Sequence, residues 1–411
     1  MHDVAIIGAG AAGIACAKEA LKRGFKTLLI DESKESFGGT CINCGCIPTK
    51  FFLKFSHTSG TWLEAFKGSQ EVINKIKTPI IPFLEKQGLE LSFGKARFLD
   101  KNSLDVAGVT IKAKNIIIAT GSFSKEIVNN PKVIFADDLF SKENIGDKIL
   151  IIGAGYIGLE VASILKNFGK DITLIEKEER ILPLFDSYLV SRLKIILQRK
   201  GIKIETGKDV KDYNLDNFDL IISAVGRVPN SKSLDIETLK LEKSSGGWIK
   251  TDQYLRTNLK NIYACGDITG KMLLAYVAEY QAHLCIDNIS GKKRKENYKG
   301  IGECVFSSPS IAKVGMSEDE AKSKGIKYDF IQSNFMKFSS SYVYGDGDGF
   351  IRIIIDKRKR IIGAGIISQV AGELINMLSL CIKNKLTVDD LKKNVFIHPT
   401  LSEIIPQLLN F

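Results

Sequence analysis

The stretch DVAIIGAGAAG, Asp3–Gly13, returns in altered form as KILIIGAGYIG, Lys148–Gly158. In each copy a short apolar strand runs into G-x-G-x-x-G and on into a helix-like stretch, IACAKEALKRG or LEVASILKNFG. A second strand follows, KTLLID or DITLIE, and ends in an acid, Asp31 or Glu176, 23 residues after the first glycine of its motif. This spacing has a physical reading. Gly8 and Gly153 permit a tight turn, Gly10 and Gly155 let a pyrophosphate approach the backbone, and Gly13 and Gly158 let helix and strand pack closely. The helix N-terminus favours phosphate charge, and the acid can hold ribose hydroxyls. A single motif of this kind is weak. Two copies, each with strand, loop, helix, strand and acid, predict two dinucleotide-binding units and a relay between a resident and a visiting cofactor.

Working outward, each unit closes on another apolar strand, NIIIATGS ending at Ser122 and LIISAVGRVPN ending at Asn230. NIYACGDITG then sets Asp267 after a further strand, where its carboxylate can accept from cofactor hydroxyls. The chain's 411 residues exceed one core and suit two or three domains. No apolar run approaches the roughly 20 residues that span a bilayer. The first residues enter a core strand at once, so a cytoplasmic location is expected. The net charge of +11 raises the question of an acidic partner. Its densest run, Lys292–Lys295, lies among Gly, Ser and Asn and reads as a solvated connector. Lys357–Arg360 reads as a hairpin tip. Neither is interleaved with aromatics, so neither nucleic acid nor membrane is expected as a partner.

Three of the eight cysteines crowd into GGTCINCGCIPTK, Gly38–Lys50. Cys16, Cys265, Cys285, Cys304 and Cys381 are scattered and read as small buried side chains. For the cluster, Cys41-x2-Cys44 has the spacing of a zinc ligand pair, but no second pair follows and histidines number only four. No metal is expected. A chance group of buried thiols is the other plain reading. A redox pair fits better, because a helical stretch begins near Pro48 and a thiol at a helix N-terminus is shifted toward thiolate.

The set of motifs resembles the class I pyridine nucleotide-disulfide oxidoreductases, most closely the dihydrolipoamide dehydrogenase branch. The resemblance runs from Asp3 to about Ile405 and is carried by the first glycine motif, GGTCINCGCIPTK, IIIATGS, GAGYIGLE, GRVPN, YACGDIT and HPTLSE. It implies an α/β chain of two doubly wound, Rossmann-like domains, for FAD and NAD, plus a C-terminal α+β dimerisation domain. The expected ranges are 1–145 and 259–296 for FAD, 146–258 for NAD and 297–411 for the interface. By resemblance, FAD meets Gly8, Gly10, Gly13, Asp31, Gly39, Thr40, Thr120, Gly121 and Asp267. NAD meets Gly153, Gly155, Gly158, Glu176 and Gly226. Cys41 is the outer thiol that exchanges with substrate and Cys46 the inner thiol against the flavin. Lys50 and Glu160 match the ion pair beside the flavin's reactive nitrogen. His398, oriented by Glu403, is the acid–base group, supplied across a homodimer to the partner's cysteines. Taken alone, Thr400-x-x-Glu403 also fits a capping box.

Glu176 favours NAD over NADP, since it accepts from a 2′-hydroxyl and repels a 2′-phosphate; Lys177 and Pro183 stand where NADP-using relatives tend to carry arginines. The C-terminal PQLLNF holds no extra cysteine pair. The expected function is therefore oxidation of a small dithiol, such as a lipoyl group on a carrier domain, through Cys41–Cys46 and FAD to NAD+. The alternative is an NAD(P)H-dependent reductase of another disulfide or acceptor, of the glutathione or mercuric reductase type; a non-catalytic subunit has no need of these residues. Two departures from the family pattern stand out: a shortened segment between Lys50 and Ala119, and Cys44 in place of an aliphatic residue.

Overall fold

A computed structural model describes residues 1–410. The two glycine motifs sit in two separate parallel sheets. In the first, the order is Glu90–Phe93, Thr27–Asp31, His2–Ile7, Val109–Ile118 and Ile262–Ala264, all parallel; the long strand Val109–Ile118 also turns into an antiparallel meander with Ser103–Val106 and Ala96–Asp100. In the second, the order is Lys203–Thr206, Asp171–Glu176, Lys148–Ile152, Leu220–Ser223 and Val133–Phe135. Central strands such as Ile149–Ile152 are buried on both faces, which is why they read as continuous apolar runs rather than alternating ones.

Each motif glycine nearest its helix is fixed by contact. A Cβ on Gly13 would lie 1.7 Å from the Gly8 carbonyl oxygen, and one on Gly158 would lie 1.8 Å from that of Gly153. The helices Ala11–Lys22 and Tyr156–Asn167 therefore seat directly on the turns before them. The repeat seen in sequence is thus a repeat in geometry.

Sheet membership divides the chain differently from the expected ranges. Val133–Phe135 pairs with the second sheet, although it precedes residue 146. Leu234, Ile236, Leu241 and Ile249 pack into the core of the first, although they precede residue 259. The crossings are marked by a two-stranded ribbon, Ser122–Ser124 against Arg227–Pro229. The third region is an antiparallel sheet in the order Gly302–Val305, Ser310–Gly315, Ile361–Ser368, Phe350–Asp356, Tyr328–Asn334. Its face is covered by the helix Ala371–Lys383.

The shortened segment after Lys50 contains helices Trp62–Lys77 and Ile80–Lys86. The first opens with a capping box, Thr61 with Glu64. Its Trp62 closes an aromatic cluster with Phe52, Phe140 and Phe168. Residues 357–360 form the expected hairpin tip between Phe350–Asp356 and Ile361–Ser368. The other basic run is not simply solvated. Lys292 and Arg294 converge with Arg23 on the buried carboxylate of Asp287. Burial opposes ionisation there, but the three cationic hydrogen bonds prevail and hold Asp287 at about 2. Arg23 thereby ties the end of the helix Ala11–Lys22 to the helix Ala275–Ile289, and the run closes over the same carboxylate.

Candidate active site

One continuous cavity of about 2130 Å³ runs between the two parallel sheets and the edge of the third. That is at least twice the ~1,000 Å³ upper end of ordinary small-molecule sites, and both glycine turns open into it. Gly8, Gly10, Asp31, Gly39, Thr40, Thr120, Gly121 and Asp267 line it, as do Gly153, Gly155, Glu176 and Gly226. Gly13 and Gly158 do not reach it; they act through the packing described above.

The two acids are held alike. Asp31 accepts the Ala9 backbone N–H at 2.5 Å, and Glu176 accepts that of Ala154 at 2.7 Å. Each therefore faces its own glycine turn, with lone pairs left for ribose hydroxyls. Beside Gly10 and Gly155 a Cβ would have open space or only a 3.8 Å neighbour, so the backbone there is accessible to a phosphate. The residues present fit two dinucleotides. Asp267 accepts from Ser122 at 2.7 Å, while burial raises its pKa.

Cys41, Cys44 and Cys46 all line the cavity. Cys46 is the first residue of the helix Cys46–Phe55, and Pro48 sits in its first turn. Cys41 lies on the short helix Gly39–Asn43, and both carry free thiols. The two are coupled: the Cys41 thiol donates to Cys46, which raises Cys41 and lowers Cys46 to about 7. Burial and Glu160 oppose that lowering, while Lys50, one turn along the helix, assists it. Cys46 is thus the preferred thiolate. Cys44 differs: burial, then the carboxylate of Asp137, push it up to about 12. It is a neutral side chain filling the wall.

Lys50 Nζ meets Glu160 Oε2 at 2.7 Å, and the other Glu160 oxygen accepts the Phe306 backbone N–H at 2.9 Å. His398 and Glu403 also meet, with Nδ1 2.9 Å from Oε2. Glu403 is buried, and the His398 side chain is 68% exposed. The capping-box alternative for Thr400 is not realised, since its hydroxyl donates to the Ile397 carbonyl instead. Among the described residues the cavity wall extends no further along the chain than Phe306, so His398, exposed at the surface, is not part of the wall that holds the cysteines.

Several wall residues were not singled out from sequence. Arg227 binds Asp137 through both carboxylate oxygens and donates to Ser122. Tyr156 donates to Glu303, and Tyr276 to the Gly302 carbonyl. Cys304 was expected to be buried; it is partly exposed on the cavity wall, and burial pushes it up to about 12. Arg227 and Tyr156 stood inside recognised motifs, whereas Asp137, Tyr276 and Cys304 carried no sequence signal. Cys16, Cys265, Cys285 and Cys381 are buried, with the Cys16 and Cys265 sulfurs 3.7 Å apart. Among the described residues no group of three His, Cys, Asp or Glu side chains is arranged to hold a metal, and no helix is long and apolar enough to cross a membrane.

Comparison with known proteins agrees with this geometry. The model for pyridine nucleotide-disulphide oxidoreductases matches residues 2–282, and the model for that family's dimerisation domain matches 301–409. The dihydrolipoyl dehydrogenase of Mycoplasma pneumoniae is 30% identical over 98% of this chain and 97% of its own length. That of Bacillus subtilis is 31% identical, over 98% and 94%. Among solved structures, the Cu(II) complex of the HOCl-induced flavoprotein disulfide reductase RclA from Escherichia coli superposes with a TM-score of 0.94 at 28% identity, covering 100% of this chain and 99% of that one.

Proposed function

The chain belongs to the pyridine nucleotide-disulphide oxidoreductases, enzymes that use FAD and NAD(H), and from that premise we propose that it oxidises a small dithiol of the dihydrolipoamide type, with NAD+ as the final acceptor. The observation that carries this reading is the position of Cys46. It begins a helix, is drawn toward thiolate, and shares one cavity with both nucleotide turns and the Lys50–Glu160 pair.

In this reading, Gly8, Gly10, Gly39, Thr40, Thr120, Gly121, Asp31 and Asp267 hold FAD, and Gly153, Gly155, Gly226 and Glu176 hold NAD, with Gly13 and Gly158 closing the turns. His398 of one copy takes a proton from a substrate thiol bound at the other copy, while Glu403 holds its Nδ1 and leaves Nε2 for the exchange. The resulting thiolate attacks Cys41 Sγ, the Cys41–Cys46 bond breaks, and Cys46 leaves as thiolate. The substrate's second thiol then attacks its own sulfur bound to Cys41; the oxidised substrate departs, Cys41 takes the first proton from His398, and His398 takes up the proton of the second thiol for release to solvent. FAD, when bound, supplies the two-electron transfer between the Cys46 thiolate and the nicotinamide. Lys50, paired with Glu160, keeps positive charge near Cys46 as its negative charge develops.

A second reading runs the same site toward reduction of another disulfide, with NAD(P)H as donor. The likeness to a disulfide reductase of 0.94 TM-score supports it. Anaerobic mixing with dihydrolipoamide in the absence of nicotinamide separates the two. Opening of the pair, scored by alkylation of Cys41 and Cys46 and mass spectrometry, with NAD+ then closing it, supports the first reading. A pair that opens with NADH and stays closed with dihydrolipoamide favours the second.

A further inference from the structure

The turn that carries His398 is held by side chains. Residues 395–399 lie outside any helix or strand, and Val395 and Ile397 are 92% and 79% exposed. Within the turn, the Thr400 hydroxyl donates to the Ile397 carbonyl at 2.7 Å and Glu403 holds the His398 ring. One further bond comes from 55 residues earlier: the Tyr344 hydroxyl donates to the Pro399 carbonyl at 3.0 Å.

Tyr344 is mounted on a fixed base. It follows the short helix Ser339–Val343, its backbone N–H donating to the Ser340 carbonyl at 3.0 Å. The next residues are tied to the end of the strand Ile361–Ser368. Gln369 Nε2 donates to the Gly345 carbonyl at 3.0 Å, and Asp346, 2% exposed, accepts from the Ser368 hydroxyl and the Gln369 backbone. Glu403 fixes the direction of the imidazole relative to its own short helix, but one contact leaves the ring free to swing with the turn. A second fixed point on the adjacent peptide removes that freedom. A proton transfer needs donor and acceptor within hydrogen-bond reach, and displacements of about 1 Å are costly there.

We propose that Tyr344 is a positioning residue for His398, acting through the Pro399 carbonyl without touching the dithiol; the proposal rests on the reading of His398 as the acid–base group. The Tyr344→Phe variant removes the donor and keeps the ring. In the full-length, FAD-loaded protein, rapid mixing with dihydrolipoamide or, in parallel, dithiothreitol is expected to open the Cys41–Cys46 pair roughly 3- to 10-fold more slowly, the size of one lost hydrogen bond. The rate of opening by NADH, the dimer mass and the melting temperature are expected to stay at wild-type values. In a His398→Gln background the same change is expected to have no further effect, since residues acting as a unit are not additive.

A wild-type dithiol rate in Tyr344→Phe overturns the proposal. So does a variant slowed equally with dithiol and NADH, or one that adds its full effect to His398→Gln, because either marks a general structural role. A His398→Gln protein that opens the pair at the wild-type rate overturns the acid–base reading itself and the proposal with it, which distinguishes that failure from the others.

Discussion

Lys50 Nζ and Glu160 Oε2 lie 2.7 Å apart, joining the helix that begins at Cys46 to the helix of the second glycine motif, 110 residues away. Glu160 also accepts from the backbone of Phe306 in the third region, and the Lys50 ammonium stands 4.2 Å from the Phe306 ring centre. Three parts of the chain therefore meet at one charge pair one helical turn from Cys46. The two members act oppositely on Cys46: Lys50 lowers its pKa and Glu160 raises it.

The sign of each variant follows. Cys46 stands at about 7, set first by the Cys41 thiol and then by the balance of burial, Lys50 and Glu160. Lys50→Met is expected to move the Cys46 titration upward, so less thiolate is present at pH 7. Glu160→Gln is expected to move it downward. Iodoacetamide alkylation of the reduced enzyme as a function of pH reads the midpoint directly, since only the thiolate reacts. An unchanged midpoint in Lys50→Met would remove the lysine from this role.

Cys44 is the control for that experiment. With burial and Asp137 pushing it up to about 12, its thiolate fraction at pH 8 is about 10⁻⁴, against roughly 0.9 for Cys46. Mass mapping after brief alkylation at pH 8 should find Cys46 labelled and Cys44 intact. Cys44→Ala, which removes the thiol and adds no bulk, should leave dithiol-linked turnover within about 2-fold of wild type if Cys44 only fills the wall. Labelling of Cys44 at a rate comparable to Cys46 would make it a participant in exchange.

How far the sequence led depends on how local each signal was. The glycine motifs, the acids Asp31 and Glu176 and the cysteine spacing are local, and the geometry carries them almost unchanged. Pro48 marks the first turn of the helix that begins at Cys46 after Gly45, a signal that locates the start to within a turn and not to the residue. The sheet boundaries were displaced because the strand Val133–Phe135 is three residues long and carries no period of its own; it is defined by its partner Leu220–Ser223. The Asp287 clamp escaped for a related reason. Its cations, Arg23, Lys292 and Arg294, are distant or irregularly spaced, and only the packing of two helices brings them together. Cys304 likewise gained its place on the cavity wall from the third sheet, not from its neighbours in sequence.

The second glycine turn offers a test that separates folding from binding. A Cβ at Gly158 would strike the Gly153 carbonyl oxygen at 1.8 Å, whereas one at Gly155 meets nothing within 4 Å, at an ordinary negative φ of −80°. Gly158→Ala is therefore expected to destabilise the second sheet and lower the melting temperature by several degrees. Gly155→Ala should fold and retain FAD, yet raise the KM for NAD+ by about 10-fold or more, because the methyl group occupies the path of the pyrophosphate. The measurement is a thermal scan with steady-state kinetics on both proteins. A Gly155→Ala enzyme with normal KM would mean that the dinucleotide does not approach this turn.

The separation of His398 from the cysteines of its own chain yields the last prediction. His398 is 68% exposed, and the cavity holding Cys41 and Cys46 is walled by residues up to Phe306. If each site takes its histidine from the other copy, His398→Gln and Cys41→Ser should both be nearly inactive with dithiol, the first by about 10²- to 10⁴-fold as for a lost acid–base group. Co-expressed in equal amounts, the two should form mixed dimers in which one site joins an intact Cys41 to an intact His398. Half of the dimers are then mixed and each holds one working site of two, so roughly a quarter of wild-type activity should return. Separately purified variants mixed without subunit exchange supply the baseline. Activity no greater than that baseline in the co-expressed sample would place His398 and the cysteines of one chain in the same site.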